Sequence, residues 1–570
     1  MSNTSFHHDP TQNFNDDGVK IYNFQAGAIK GCMIDVRDKQ DKVKAMLAPS
    51  LFLDEMKRLG MKISKFHTSK DIIGVDFDYG TTSYEAEVKK FKKKIENEKD
   101  PKKKKQYEDL LAKADKNKDK FVEMCKDDIR TEFYTKGLTV KYPIYKGGEK
   151  EPSDFEVYHY KMLFRSTGKA KAGNCLFIVD RLYDDAIKFI RMGLELPDHN
   201  AKIVEMGAYS SLISSGICGR VQIDPRNILV MSDYDSETFI KAVVVGTDEE
   251  KHCYAKTVDN YKVKNTMFDG QGLIDESIFP SWADGYVLLR HHFTKMACFK
   301  TKIQKYFKDF YGDAYETATI TDIFGCEHKV KDIQLITTDN AVKWLKFDVT
   351  YDYWCEQVNK NDNWWGVVKY AHKSKLGNVQ QMSYQMINSL GMDSMASVMD
   401  KTIEYTELLK NDDNAFRDYL YRTQNFSNDF AFLYKLTAKN PEFLKSEYFK
   451  ERKKSIIQSY VNNVKFGKVI NNGDNLVFVG SPYAMLMHAV GLNPEDDPTF
   501  EEEDDAIQVY TDRFDDNEYL AVFRSPHNSS NNIGYIHNHK HPYFKEYFDL
   551  GEQILAINMR HTDYQDRLNG

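Results

Sequence analysis

The sequence predicts a mixed α+β protein built from several units, and three observations carry that expectation. Short runs of β-branched and large apolar residues recur on both sides of the chain's middle: Leu176-Phe177-Ile178-Val179, Ile228-Leu229-Val230-Met231 and Ala242-Val243-Val244-Val245 before it, and Leu476-Val477-Phe478-Val479, Ile507-Gln508-Val509-Tyr510 and Leu520-Ala521-Val522-Phe523 after it. Residues 376–465 instead repeat their apolar positions with the helical period, through Met382, Met386, Ile387 and Leu390 and then Phe430 to Leu436. Finally, 570 residues with 41% hydrophobic and 13% aromatic content can fill well-packed cores in about three to four units. The order is β-rich, helical, β-rich.

Taken from the N-terminus, residues 1–83 alternate short apolar runs with turns, as around Ile72-Ile73-Gly74-Val75, and read as an accessory region. Residues 84–134 are different in texture. Lys89-Lys90 and Lys92-Lys93-Lys94 precede Ile95, Asp100-Pro101 interrupts, and Leu110-Leu111 and Phe121-Val122 follow among charges. Asp100 suits an N-cap and Pro101 a first helical turn, so the segment predicts a charged helical hairpin. Its lysines could hold a phosphate backbone or form a solvated face. Residues 135–260 read as a mixed α/β region.

Composition excludes several classes. A net charge of −7 excludes a uniformly basic nucleic-acid-coating protein, although one channel can still concentrate positive charge. The eight cysteines are scattered without a C-x-x-C pair, which argues against a zinc ribbon or a disulfide framework and for reduced thiols. Met1 to Gly18 is polar and acidic rather than signal-like, and no run approaches the ~20 apolar residues of a membrane span. A cytoplasmic protein with no membrane association is expected.

Five segments share an order with a known family. Tyr160-Lys161-Met162-Leu163-Phe164-Arg165-Ser166-Thr167 leads to Gly173-Asn174-Cys175-Leu176-Phe177, and Glu205-Met206-Gly207-Ala208-Tyr209-Ser210-Ser211 follows. Next comes Phe268-Asp269-Gly270-Gln271-Gly272-Leu273-Ile274. Leu289-Arg290 then precedes Lys295 with an Arg-to-Lys spacing of five, and Thr337 to Phe347 ends in Lys346-Phe347. The last block holds Lys465-Phe466-Gly467-Lys468-Val469, Gly473 to Phe478, and Val522-Phe523-Arg524-Ser525-Pro526-His527-Asn528, before the closing Asp566 to Gly570. Between blocks, Leu376 to Met382 looks like a bridging helix. Over about residues 155–570 the chain resembles the two-barrel RNA polymerases, closest to the cellular-type RNA-dependent RNA polymerases and related single-chain phage and bacterial enzymes.

The resemblance implies two double-psi β-barrels, the first over 261–375 with insertions and the second over 466–570, incomplete at its C-terminus and separated by a helical connector over 376–465. It implies templated nucleotidyl transfer from nucleoside triphosphates on a nucleic-acid template, with magnesium. Lys295 and Lys346 would be the active-site cations, with Lys331 and Lys343 as alternates, and Arg524 would orient the incoming nucleotide. Arg290, Asn569 and Gly570 would line the nucleotide and nucleic-acid site. Fixed cations aimed at a transferring phosphoryl group stabilise its spread negative charge, and removing one such group typically costs ~10²–10³ in rate.

The departures are specific. Glycines flanking Arg290 in the family are absent, Ser529-Ser530-Asn531-Asn532 replaces a Pro-Gly-Asp, and the family's Asp-rich metal loop would fall beyond Gly570. Two-metal transfer needs clustered carboxylates. The expectation is therefore that these residues alone are inactive, that no metal ligand lies within them, and that a downstream segment or second chain supplies the aspartates. The non-enzymatic alternative is a catalytically inactive nucleic-acid-binding or scaffold protein derived from a polymerase. A minor alternative comes from Gly74-Val75-Asp76-Phe77-Asp78-Tyr79-Gly80-Thr81-Thr82-Ser83, which is similar to the phosphate turn of actin-like ATPases and their chaperone relatives, with two extra residues. His537, His539 and His541 alternate as zinc ligands could, or as a polar edge strand would.

Overall fold

The computed structural model describes residues 18–30, 45–77, 84–98, 100–116, 118, 126–145, 152–165, 174–371, 379–381, 391–424, 428–501, 506–524 and 533–560. The fold is mixed α+β with several curled, half-barrel sheets. It divides into two compact units, the first made of Met1–Pro225, Leu289–Lys295 and Val342–Lys369, the second of Arg226–Leu288, Met296–Ala341 and Tyr370–Gly570.

The first unit is organised by six strands: β1 (Val19–Gln25), β2 (Ala45–Leu47), β3 (Thr68–Asp76), β4 (Leu138–Ile144), β5 (Asp154–Arg165) and β6 (Asn174–Val179). Their order is β2-β1-β3-β6-β5-β4, with β1 and β3 parallel and the other neighbours antiparallel. In β4, Leu138, Val140 and Tyr142 are buried while Thr139 and Lys141 are exposed, the two-residue period of a strand with one covered face. In the interior strand β3, Ile72, Ile73 and Val75 are all buried, as a strand covered on both faces requires. Helix Asp180–Ile190 sends Leu182, Ala186 and Ile190 into the same core, four residues apart. Asp71, buried on β3, accepts the Lys62 N–H at 2.5 Å and pairs with Arg181, which offsets the cost of burying its charge.

Helices Tyr84–Asn97 and Pro101–Lys116 form the charged hairpin. Asp100 caps the second by accepting the Lys102 N–H at 2.9 Å, and the Tyr84 hydroxyl donates to Asp115 at 2.7 Å across the pair. Lys102 to Lys105 are exposed. Asp78 to Ser83, which hold most of the ATPase-like turn, lie outside the described residues, as do Ser166 to Gly173, Leu376 to Asn378 and Met382 to Leu390, while Val379–Gln381, expected in a bridging helix, is instead a short strand held by ladder pairing with Ile470–Asn472.

The remaining strands, in chain order, are β7 (Gly219–Gln222), β8 (Ile228–Met231), β9 (Asp235–Thr247), β10 (Cys253–Thr266), β11 (Gln271–Asp275), β12 (Asp284–His291), β13 (Thr294–Thr301), β14 (Thr319–Thr321), β15 (Glu327–Lys329) and β16 (Leu335–Thr338). They continue with β17 (Trp364–Ala371), β18 (Val379–Gln381), β19 (Ile470–Asn472), β20 (Val477–Gly480), β21 (Ile507–Tyr510), β22 (Tyr519–Phe523), β23 (Ile533–Asn538) and β24 (Ile554–Ile557). In the first unit β7 pairs antiparallel with β17. The hairpin tip 289–295 between β12 and β13 also belongs to the first unit, and the stems of both strands to the second.

Within the second unit β11 is parallel to β13 and antiparallel to β16, and β16 is parallel to β8. The C-terminal sheet has the order β20-β24-β21-β23-β22, with β20–β24 and β21–β23 parallel. One apolar core serves both sheets: Leu229, Leu273, Phe299 and Ile336 join Val479, Val509, Ile536 and Ile557. Gly285 makes a backbone approach that no side chain would permit. Its φ is +68°, and a Cβ there would stand 1.8 Å from the Leu550 carbonyl oxygen.

The helices Met395–Asn411, Asp413–Thr423, Phe430–Lys439 and Glu447–Lys465 surround a separate core of Leu409, Phe416, Leu420, Leu433 and Phe449. Strands β9 and β10 pair only with each other, leaving Phe239, Val243 and Val245 exposed on a long ribbon. The edge-strand expectation for His537 is corrected. β23 lies between β21 and β22, and His537 is nearly buried, stacked on Tyr519 at 4.3 Å. His539 follows the strand, and His541 caps helix Pro542–Tyr547 by accepting the Tyr543 N–H at 3.3 Å. No helix among the described residues is long and apolar enough to cross a membrane.

Candidate functional site

Three pieces of the first unit converge around Lys346. The first is the hairpin tip, where Thr294 forms an isolated antiparallel bridge with Val342 and the Lys343 N–H donates to the Phe293 carbonyl at 2.8 Å. The second is the 3₁₀ segment Lys343–Phe347. It is anchored by fully buried Trp344, which stacks on Trp354 at 5.3 Å, and it ends at Asp348 in a left-handed conformation, φ 55°. The third is helix Asn200–Ser210, on which Lys202, Glu205 and Tyr209 fall three and four residues apart and so share a face.

The side chains interlock. Lys346 Nζ lies 2.6 Å from Glu205 Oε1 and 3.3 Å from the Tyr209 hydroxyl, while Lys202 Nζ donates to the Lys346 carbonyl at 3.0 Å. Phe347 packs edge-on against Phe293 at 5.3 Å and against Tyr209 at 6.4 Å. The hydrogen bond to Glu205 raises the Lys346 ammonium above its ordinary pKa, and the same bond lowers the Glu205 carboxyl. Lys346 is thus held charged by a partner rather than presented alone. Lys295, by contrast, is exposed and has no ion-pair partner among the described residues. Lys343 is half-buried. Lys202, 3.6 Å from Glu205, and Lys346 are the two cations that meet this carboxylate, while Lys295 and Lys343 lie on the two segments joined by the Thr294–Val342 bridge.

The other expected residues are distributed differently. The Arg290 guanidinium, half-buried in the hairpin tip, donates to the Leu289 carbonyl at 3.0 Å. Lys331 stands in the second unit, paired with Glu316 at 3.0 Å, which raises its pKa. Arg524 is half-buried at the end of β22 in the second unit. Asn569 and Gly570 lie outside the described residues. Among the described residues no group of three or more His, Cys, Asp or Glu side chains could hold a metal ion.

Two features went unread in the sequence. One is Glu205 with Tyr209 as partners of Lys346, a contact across 141 residues whose only trace is the helical spacing within Lys202–Tyr209. The other is Asp233. Its carboxylate accepts the N–H groups of Tyr234 at 2.8 Å and Phe268 at 2.9 Å, the Thr338 hydroxyl at 2.8 Å and the Asn340 amide at 3.1 Å. It thereby ties the Phe268–Gly272 turn to the Thr337–Asn340 segment, and burial holds its pKa above the usual carboxylate value. No family model matches the chain, and no curated protein matches it.

Proposed function

We propose that this chain is the core of a two-barrel, RNA polymerase-like nucleotidyl transferase acting on a nucleic-acid template with nucleoside triphosphates. Two curled sheets with interleaved parallel pairs would be the double-psi barrels. Lys295 and Lys346 would neutralise phosphate charge, Lys343, Lys331 and Arg290 would assist, and Arg524 would orient the nucleotide through its planar fork of donors. The observation that carries this reading is the Thr294–Val342 bridge, which draws two lysine-bearing segments nearly fifty residues apart into one place. A polymerase would need cations fixed near one another on such joined segments, because preorganised charge costs no reorganisation when the phosphoryl group transfers.

The reading requires clustered carboxylates for magnesium, so incorporation is expected only when an Asp-rich segment is supplied, in the same chain or by a partner. The experiment is primed and unprimed nucleotide incorporation with that segment present. Lys295→Ala and Lys346→Ala should each abolish synthesis with circular dichroism unchanged; wild-type rates in both would overturn the assignment. The second reading, template binding without chemistry, draws on the exposed Lys102–Lys105 run of the hairpin. It expects salt-sensitive nucleic-acid binding and no incorporation under any supply of carboxylates.

A further inference from the structure

The helical bundle carries a cavity of about 640 Å³ on its flank, within the roughly 300–1,000 Å³ of small-molecule sites. Its lining separates into two chemical halves. Along helix Glu447–Lys465, Lys450, Lys453 and Lys454 come first, and Ile457 and Val461 continue the same face toward the C-terminus. Phe449 and Leu444 complete the apolar part, and Lys410 adds a cation from the neighbouring helix.

One of these cations is built in. Lys453 lies 2.7 Å from Asp413, its side chain only 14% exposed, with its ammonium 5.3 Å from the Phe416 ring. Asp413, the acidic residue of the lining, is therefore already committed. Lys410 and Lys450 pair within their own helices to Glu407 and Glu447, at 2.7 and 2.8 Å. Lys454 is exposed and has no ion-pair partner among the described residues. The cavity thus keeps net positive charge at one end and an apolar wall at the other.

We propose that this cavity binds a small anionic amphiphile, with its carboxylate, sulfonate or phosphate group on the lysines and its apolar body along Leu444, Ile457 and Val461. From Lys450 to Val461 the helix rises ~16 Å at about 1.5 Å per residue, room for an extended body rather than a lone anion. A nucleic-acid strand fits less well, since base stacking needs an open ring face and Phe449, the aromatic residue of the lining, is 1% exposed. This site is independent of the polymerase reading and stands or falls apart from it.

The test is calorimetric titration of dodecanoate, kept below its micelle concentration, into the full chain. One saturable site is expected. The Lys450→Glu/Lys454→Glu double variant should weaken it by about tenfold or more, the loss of one charge-assisted contact. Val461→Trp should block the apolar half; should that variant fold poorly, Gln458→Glu brings a negative charge to the lining at nearly constant volume and should weaken binding severalfold. Absence of saturable binding, or binding indifferent to the lysine and Gln458 variants, overturns the proposal. Equal binding of dodecanol overturns its anionic half, equal binding of inorganic phosphate its apolar half, and displacement by a single-stranded oligonucleotide its ligand class.

Discussion

The ammonium of Lys346 stands 2.6 Å from the carboxylate of Glu205, with side-chain exposures of 44% and 27%. Water reaches both, so the pair contributes little to folding: exposed pairs are worth ~0–1 kcal/mol. Its consequence lies in availability. To meet a phosphate, Lys346 must exchange one anion for another. Glu205→Gln is expected to leave the urea midpoint nearly unchanged while strengthening triphosphate binding, as seen by equilibrium dialysis at low salt. Weaker binding in that variant would mean that Glu205 positions Lys346 rather than competing for it.

Acid should loosen the first unit through two histidines. His291 and His292 are fully buried, their ring centroids 5.0 Å apart, and neither nitrogen of His291 has a hydrogen-bond partner. Burial pushes His291 well below its ordinary value and pushes His292 down to about 4, although the His292 Nε2 contact with the Phe189 carbonyl at 2.8 Å works the other way. Between about pH 6.5 and pH 4 the unfolded chain then binds more protons than the folded one, so stability is complete above that window and falls as pH drops through it. His292 alone accounts for up to ~3 kcal/mol by pH 4, at about 1.4 kcal/mol per pKa unit. Urea midpoints measured from pH 7 to pH 4.5 should decline, and His291→Phe should flatten the decline.

Trp354 is fully buried against Trp344 at 5.3 Å and Trp365 at 6.2 Å. Trp354→Ala should cost ~3–5 kcal/mol, the usual penalty for emptying an aromatic site in a core. Because Trp344 anchors the segment that carries Lys346, the same variant should also weaken phosphate binding. Denaturant melts and triphosphate titration would separate the two effects.

Asp233 makes a sharper case. Replacing it by Ala strands the Phe268 N–H and leaves the Thr338 hydroxyl only its 3.4 Å contact with the Phe268 carbonyl, and an unpaired buried donor costs ~1–3 kcal/mol. Asp233→Asn keeps one acceptor oxygen and should lose less. Equal melting temperatures for the Ala variant and the parent would exclude the bracing role.

Much of the local structure was legible because it is written in neighbouring residues. Asp100-Pro101 announces its own helix start, and Leu176-Phe177-Ile178-Val179 its strand. No periodicity around Lys295 or Lys346 says that Thr294 will meet Val342. The partners were not legible at all. Glu205 on its helix looks like any exposed acid until Lys346 arrives from far along the chain. The burial of His291-His292 comes from elsewhere in the chain, with Trp365 lying 5.0 Å from the His291 ring. His537 likewise reads as an edge residue until β22 is laid beside it. Long-range packing decides each of these, and a local window holds no trace of it.

The pairing of β18 with β19 has a consequence for how this chain could be remodelled. Gln381 and Ile470 are direct ladder partners, and the Ile470 N–H is also held by the Thr402 hydroxyl at 2.9 Å. The two ends of the intervening helical segment therefore emerge side by side from one short ladder, and that segment has a core of its own. Such a segment behaves as a cassette. Its outer helices can be lengthened or repacked without touching the ladder, whereas Met395–Asn411 has to stay, because its Thr402 holds β19 in place.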